Sequence, residues 1–323
     1  MGASCDSYRM KILIAGGSGY IGRRLSTSLV RDGHEVVSLT RGEPRAFPPP
    51  LGGEVQGGGL RYVNWDARTL NGDWMKELAG AQGIVNLAGA TIGSWPWTRR
   101  RMAEMLSSRL SATAALVQAL ERTPAERRPS VLASASGIDY YGDRGDEVIT
   151  EDSQPGDSFL ARLSLQWEAA AQKAEPIGLR VVRMRTSMVF GRDAPAFNLL
   201  TLPHRFFVGG PLGSGRQWFT WIHIDDIVGL YRFGLENARL SGAVNGVATD
   251  IRRQIELAKE IGRILHRPTW FPAPAPLLRL ALGAMSELLL DGRKAVSEKA
   301  KAAGYQFKFD GLPQALEEAL RSR

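Results

Sequence analysis

The 323-residue sequence has one cysteine, Cys5, and four histidines. A single thiol excludes an internal disulfide framework and any zinc site built from several cysteines, so we expect no metal. No apolar run approaches the roughly 18 residues a membrane-spanning helix needs. The opening segment MGASCDSYR lacks the apolar core of a secretory signal. We therefore expect a cytoplasmic protein with no membrane association, with Met10 as the natural start and residues 1–9 as a disordered leader. There is no internal repeat and no low-complexity tract. Acidic residues are in the minority, 33 against 41 Lys and Arg, for a formal charge of +8. A basic surface suits nucleic acid, an anionic small ligand or plain solubility. The basic residues are dispersed, with Arg99-Arg100-Arg101 the densest cluster, so nucleic acid is not an expected partner.

The order of elements is informative. Met10 to Ala15 reads as a short buried strand, followed by a glycine turn and an amphipathic helix to about Asp32. Glu35 to Thr40 is a second strand, completing a βαβ unit. Gly42 to Gly59 is rich in Pro and Gly and reads as an exposed loop. Further strands are expected at Leu60–Val63, Gly83–Ala88, Ser130–Ser134 and Leu179–Met184, with helices at Thr98–Glu121 and Leu160–Ala174. Strands alternating with helices predict a doubly wound parallel α/β sheet covered on both faces. The rhythm changes after Gly191. Phe219 to Ile224 reads as a strand, Asp225 or Asp226 as the cap of a helix to Glu236, and the chain beyond Pro272 as mostly helical. This predicts a nucleotide-binding domain over 10–191, to which some later segments return, and a smaller C-terminal substrate lobe over 192–323.

The turn Gly16-Gly17-Ser18-Gly19-Tyr20-Ile21-Gly22 follows a strand and opens a helix. That is the context in which a glycine-rich turn marks a dinucleotide site. Gly16 lets the backbone tighten, Gly19 lets a pyrophosphate approach, and Gly22 lets helix pack on strand. The first-turn amides from Ser18 to Gly22 offer donors and positive potential to the phosphates. Strand two ends Leu39-Thr40-Arg41, where NAD enzymes place a carboxylate for the ribose hydroxyls. Arg41 pairs with a 2′-phosphate and Thr40 donates to it, so the reading is a Rossmann-type fold for NADP(H).

The motifs GGSGYIG, NLAG (Asn86 to Gly89) and SASGIDYYG (Ser134 to Gly142) together resemble the extended short-chain dehydrogenase/reductase superfamily. WEAAA at 167–171, GGPLGSGRQWFTWIHIDD at 209–226 and ELLLDGRKAVSEKAKAAGYQF at 287–307 narrow the resemblance. They are similar to an atypical, epimerase-like family of bacteria, chloroplasts and mammals whose plant members are linked to plastid division. The resemblance spans about Met10 to Leu320. It implies further cofactor contacts: Asp66 facing the adenine, Leu87, Ala88 and Gly89 along the adenosine and ribose, Glu104 and Arg109 from the long helix, Ser134, and Val189 near the nicotinamide.

Superfamily enzymes pair a Ser or Thr with a Tyr-x-x-x-Lys, whose lysine lowers the tyrosine pKa for proton exchange. Here the matching stretch is Phe159-Leu160-Ala161-Arg162-Leu163, which supplies neither phenol nor ammonium, and the resemblance implies that the family as a whole lacks the pair. Nearby candidates are Ser136, matching the triad serine, and Tyr140 or Tyr141 as proton donor, with Ser136 and Tyr141 the preferred catalytic pair. Either tyrosine alternatively packs in the core. Arg216, Gln217 and Trp218 offer a cation, an amide and an aromatic face for an anionic or sugar-like ligand. His223 joins that cleft as a titratable group, or serves as a hydrogen-bonded structural residue. Trp95, Trp97 and Arg101 are candidates for the opposite wall. Two functions follow: an oxidoreductase or epimerase on a small polar substrate, or a non-catalytic NADP(H)-binding sensor that engages a partner. Monomer and homodimer both remain open.

Overall fold

The computed structural model describes residues 9–41 and 59–321. The expected leader falls outside them except for Arg9, and the expected Pro/Gly-rich loop except for Gly59. A seven-stranded sheet forms the centre. Its strands are β1 (Lys11–Ala15), β2 (Glu35–Thr40), β3 (Leu60–Asn64), β4 (Gly83–Asn86), β5 (Val131–Gly137), β6 (Arg180–Thr186) and β7 (Gly242–Gly246). They lie in the order β7-β6-β5-β4-β1-β2-β3, and every pairing is parallel. The expected third strand runs one residue further, to Asn64, and the expected fifth continues from Ser134 to Gly137. β7 was not expected, because GAVNG has little strand character of its own. It forms by adding to the exposed edge of β6.

Successive strand residues point to opposite faces. Ile12 and Ile14 of β1 join Leu25 and Leu29 of α1 (Tyr20–Arg31) and Ile227 and Tyr231 of α5 (Ile224–Glu236). Leu13 and Ala15 join Ala112 and Leu116 of α2 (Arg99–Arg122) and Ala171 of α3 (Phe159–Gln172). Both faces are covered, so β1 is apolar along most of its length and fully buried from Ile12 to Ala15. Each fully buried aliphatic side chain contributes about 1.5–3 kcal/mol relative to exposure. The strand order reverses between β1 and β4, which opens a crevice beyond their carboxyl ends.

The remaining helices are α4 (Pro195–Arg205), α6 (Gln254–Leu265), α7 (Ala275–Leu282), α8 (Glu287–Leu290), α9 (Glu298–Ala302) and α10 (Leu312–Leu320). Phe190, Phe197, Trp221, Ile261 and Leu316 form a second core among α4, α6 and α10. The Phe190 and Trp221 rings stack at 5.2 Å and 8°. The expected strand at 219–224 divides into Trp218–Phe219 and Trp221–His223. The cap of α5 is His223, not Asp225 or Asp226: its Nδ1 accepts from the Asp225 amide at 3.2 Å. Asp226 instead accepts the amides of Lys308 and Phe309 at 2.7 and 2.9 Å, tying the C-terminal segment to α5. Among the described residues no helix is long and apolar enough to cross a membrane.

Candidate functional site

The glycine turn sits at the β1–β4 reversal. Gly16 has φ +82°, and a Cβ there would stand 2.8 Å from the Leu87 carbonyl carbon, so only glycine closes this turn. At Gly22 a Cβ would meet the Gly16 oxygen at 2.6 Å, which brings α1 down onto the strand end. Gly19 is the N-cap of α1 and gives the helix no side-chain cap. Amides of a first helical turn lack intrahelical acceptors and favour an anion.

Two cavities meet at this turn, sharing Gly16, Gly19, Leu87 and Gly89. The smaller, about 150 Å³, is lined by Ser18, Thr40, Arg41 and Ala88 together with Trp65, Ala67 and Ser108. Among the described residues no carboxylate lines it. Asp66 is turned away: it accepts from the amides of Arg68 and Thr69 at 2.9 and 2.8 Å and from the Thr69 hydroxyl at 2.7 Å. The Thr69 amide and hydroxyl bonds hold its carboxyl below the usual range. Its neighbours Trp65 and Ala67 take the wall, a pair the sequence reading missed.

The larger cavity, about 470 Å³, runs from Tyr20, Ile21 and Gly22 past Arg109 and Val189 to Trp218. Arg109 is buried and donates to the carbonyls of Ala90 and Met105 at 2.9 and 3.0 Å, with its guanidinium 4.8 Å from the Trp167 ring. Burial, then the charge of Arg101, pushes its pKa down to about 10. Gly89 makes room for it, since a Cβ there would lie 2.9 Å from Arg109 Cγ. Glu104 faces solvent, pairs with Arg101 at 2.9 Å and lines neither cavity. Ser134 is buried behind the wall, where its Oγ accepts from Asn86 at 3.4 Å.

Ser136 lines the cleft, but its hydroxyl donates to Glu168 Oε1 at 2.7 Å. Glu168 is buried on α3 and held by Arg185 at 2.7 and 2.9 Å and by Arg183 at 3.1 Å. The serine's proton is thus directed to Glu168, and its lone pairs are left for the cleft. Glu168 lies inside the WEAAA stretch, whose apolar neighbours masked it.

Tyr141 is not a cleft residue. Its side chain is fully buried, donating to Asn245 Oδ1 at 2.8 Å and accepting from Arg185 at 2.6 Å. Burial pushes its pKa up to about 12. Tyr140 is buried too, with the Arg185 guanidinium 3.5 Å from its ring centre. His223 is also removed from the cleft: besides capping α5, it contacts Glu318 at 2.9 Å and Phe309 at 3.7 Å between ring centres. Arg216 is exposed and lines no part of the cavity. Trp218 does line it, with its indole nitrogen donating to Asp146 at 2.6 Å. Trp95 is exposed, and Trp97 packs edge-on against Phe159 at 5.8 Å. Arg101 donates to the Thr91 carbonyl at 2.5 Å. The wall on that side is Thr91, Ile92 and Gly93 themselves.

Helix α3 begins at Phe159 behind its cap Ser158, whose hydroxyl accepts the Ala161 amide. That phase turns Leu160, Leu163, Ser164 and Trp167 into the cleft and leaves Phe159 beside it. The pair facing inward at i, i+4 is thus Leu160 and Ser164, one residue on from the expected register, and again neither phenol nor ammonium. The far end of the cleft comes from the C-terminal region. The strand at Lys294–Ala295 pairs with Val148–Ile149, and the Gly292 amide donates to Asp143 at 3.1 Å. This brings Asp291 and Arg293 against Asp139, which follows β5. Their positions 287–293 carried the resemblance but had no chemical signature of their own.

Residues 12–245 match the model of the NAD dependent epimerase/dehydratase family, and residues 273–319 match a domain of unknown function, DUF1731. The chain is 35% identical over 97% of its length to the chloroplastic Epimerase family protein SDR39U1 homolog of Arabidopsis thaliana, covering 88% of that protein. It is 33% identical to Epimerase family protein YfhF of Bacillus subtilis, over 97% of this chain and 99% of that protein. The crystal structure of human epimerase family protein SDR39U1 (isoform 2) with NADPH superposes with a TM-score of 0.82 and 32% identity, over 96% of this chain and 99% of that one. A UDP-N-acetylglucosamine 4-epimerase from Bacillus cereus shares the fold, with a TM-score of 0.73 at 19% identity, over 96% and 95% of the two chains.

Proposed function

The chain belongs to the NAD dependent epimerase/dehydratase family, and on that premise we propose that it is an NADP(H)-dependent oxidoreductase or epimerase acting on a small polar carbonyl or sugar-like substrate. The observation that carries this is the small cavity at the end of β2. It offers Arg41 and Thr40 and, among the described residues, no carboxylate, and it continues into the larger cleft through the glycine turn. Thr40 Oγ1 is buried with no hydrogen-bond partner among the described residues, which suits a phosphate oxygen nearby. Gly16 and Gly19 line both cavities where these meet, which supports a pyrophosphate at the junction. The human relative crystallised with NADPH supports the same choice of nucleotide.

In this reading Arg41 and Thr40 hold the 2′-phosphate, Ser18 to Gly22 the pyrophosphate, and Leu87, Ala88 and Gly89 the ribose side. Arg109 and Val189 flank the reacting end. When bound, the nicotinamide gives or takes a hydride. Leu160, Leu163 and Trp167 keep water from that end, and Ser136 accepts a hydrogen bond there.

A second reading follows from α3, whose cleft face holds neither a phenol nor an ammonium: an NADP(H)-binding sensor whose partner distinguishes the two redox states. Linkage then requires the partner to change the nucleotide's affinity by the same factor. The test is titration with NADPH, NADH, NADP+ and NAD+, followed by a panel of carbonyl and polyol substrates. Preference for the phosphorylated forms with turnover supports the enzyme. Preference without turnover, and a redox-dependent partner, supports the sensor. Binding of none of the four removes both.

A further inference from the structure

Among the described residues six titratable side chains line the larger cavity: Tyr20, Arg109, Asp139, Tyr231, Asp291 and Arg293. The hydroxyls of Tyr20 and Tyr231 are buried away from its open space. The arginines stay protonated at neutral pH. The proton of Ser136 is directed to Glu168, which is wrapped by Arg185 and Arg183 and is not part of the wall. Two carboxyl groups are left that face the cleft and change charge. Both contact the same nitrogen, Nη2 of Arg293: Asp139 at 3.1 Å and Asp291 at 3.5 Å. Arg293 is buried, whereas the carboxyls retain 18% and 21% exposure toward the cavity.

We propose that Asp291, held opposite Asp139 by Arg293, is the proton-exchanging group of this cleft, and that the site takes an uncharged substrate bearing a hydroxyl or carbonyl group. This deepens the oxidoreductase reading and rests on the cleft being the nicotinamide site. The device takes the place of the phenol–ammonium pair absent from α3, and it is carried by the C-terminal segment, whose Met285 and Leu288 pack against Leu160, Leu163 and Trp167 of that helix.

Asp291 is the better placed of the two carboxyls for proton exchange. Its hydrogen bond from the shared arginine nitrogen is long, at 3.5 Å, and holds its negative form only weakly. Burial pushes its pKa up, and Asp143 and Asp139 act in the same direction. Glu287 is coupled to it as well. Arg293 and Arg279 oppose them. In oxidation the substrate O–H bond breaks and its proton passes to the Asp291 carboxylate. The C–H electron pair leaves with its hydrogen as hydride to the oxidised nicotinamide, giving a carbonyl and a protonated Asp291. Reduction is the reverse, with Asp291 supplying the proton to the carbonyl oxygen. The surroundings also select the substrate. The charged groups of the wall balance, Asp139 and Asp291 against Arg109 and Arg293, so the cleft offers no surplus positive charge to an acid and suits hydroxyl donors.

The test uses full-length protein with 13C-labelled aspartate carboxyls, with and without saturating NADP+. Asp139→Asn and Asp291→Asn assign the two signals. Asp291 is expected to titrate above the ordinary aspartate value, and Arg293→Gln to raise its midpoint further. The neutral probe xylitol is expected to shift both signals and its acid counterpart xylonate neither. On a panel of uncharged alcohols and carbonyls, Asp291→Asn is expected to lower turnover by about a hundred-fold or more, with NADPH affinity kept within about two-fold. Asp291→Glu restores part of the rate. An ordinary Asp291 titration indifferent to Arg293 overturns the proposal, as does undiminished turnover in Asp291→Asn. Xylonate acting as well as xylitol, or xylitol shifting neither signal, overturns the substrate class. Failure of NADPH to bind sinks the cofactor reading separately, because the nucleotide-free titration still judges the carboxyl pair.

Discussion

The Ser136 hydroxyl donates to Glu168 Oε1 at 2.7 Å, and the same oxygen receives Arg185 Nε at 2.7 Å. A cleft residue is thereby joined to a buried ion pair, so the direction of the serine's hydrogen bond is set from beneath the site. Removing the carboxylate leaves Arg185 buried without its counter-charge. Glu168→Ala is expected to cost about 3–5 kcal/mol of stability, the usual penalty for breaking a buried pair. Urea unfolding measures this, and a loss under about 1 kcal/mol would mean that water replaces the carboxylate.

Arg41 is exposed at the mouth of the small cavity. Arg41→Ala is expected to weaken NADPH by about ten-fold, near the lower range for a charge-assisted hydrogen bond. NADH affinity stays unchanged. Calorimetric titration of both nucleotides separates the outcomes: equal losses for the two would place Arg41 on the pyrophosphate or in the fold, not on a 2′-phosphate.

Tyr141 bridges Asn245 and Arg185. Tyr141→Phe leaves those two buried groups short of a partner and is expected to lower stability by about 1–3 kcal/mol. Nucleotide affinity and any turnover should be untouched. Loss of turnover at full stability would return this hydroxyl to the chemistry.

His204 supplies the pH prediction. It is 4% exposed, and neither ring nitrogen has a hydrogen-bond partner. Burial lowers its pKa; the Ala258 carbonyl, close by but outside hydrogen-bonding geometry, acts weakly the other way. An unfolded histidine takes its proton near ~6.5, and the folded one only at lower pH. The unfolded state therefore binds more protons below that value, and stability falls as pH drops through the window. Melting temperatures of wild type and His204→Phe between neutral and mildly acidic pH test this. The variant should show the shallower slope, and parallel curves would rule out His204 as a source of the dependence.

The nucleotide half of the site was legible because it is local. Gly16, Gly19 and Gly22 are close in sequence, their roles follow from backbone geometry, and Thr40 and Arg41 end the adjacent strand. The bonds of Asp66 to Thr69 were not legible, because a carboxylate after a strand looks the same in sequence whether or not it closes a turn. His223 and Tyr141 are polar residues beside known motifs, and their partners Glu318 and Asn245 lie far along the chain. The phase of α3 depended on one cap, Ser158, and a shift of a single residue turns a side chain by about 100° around the helix.

The sequence by itself determined the doubly wound parallel sheet, through apolar strands alternating with amphipathic helices, and it determined the chemistry of the nucleotide end through consecutive residues. Only the tertiary structure decided the substrate end. There Asp139 meets Asp291 and Arg293 because a two-residue strand at 294–295 pairs with 148–149. Neither segment carries a period or a motif that names the other. Long-range pairing is set by the packing of the whole molecule, and local spacing holds no record of it.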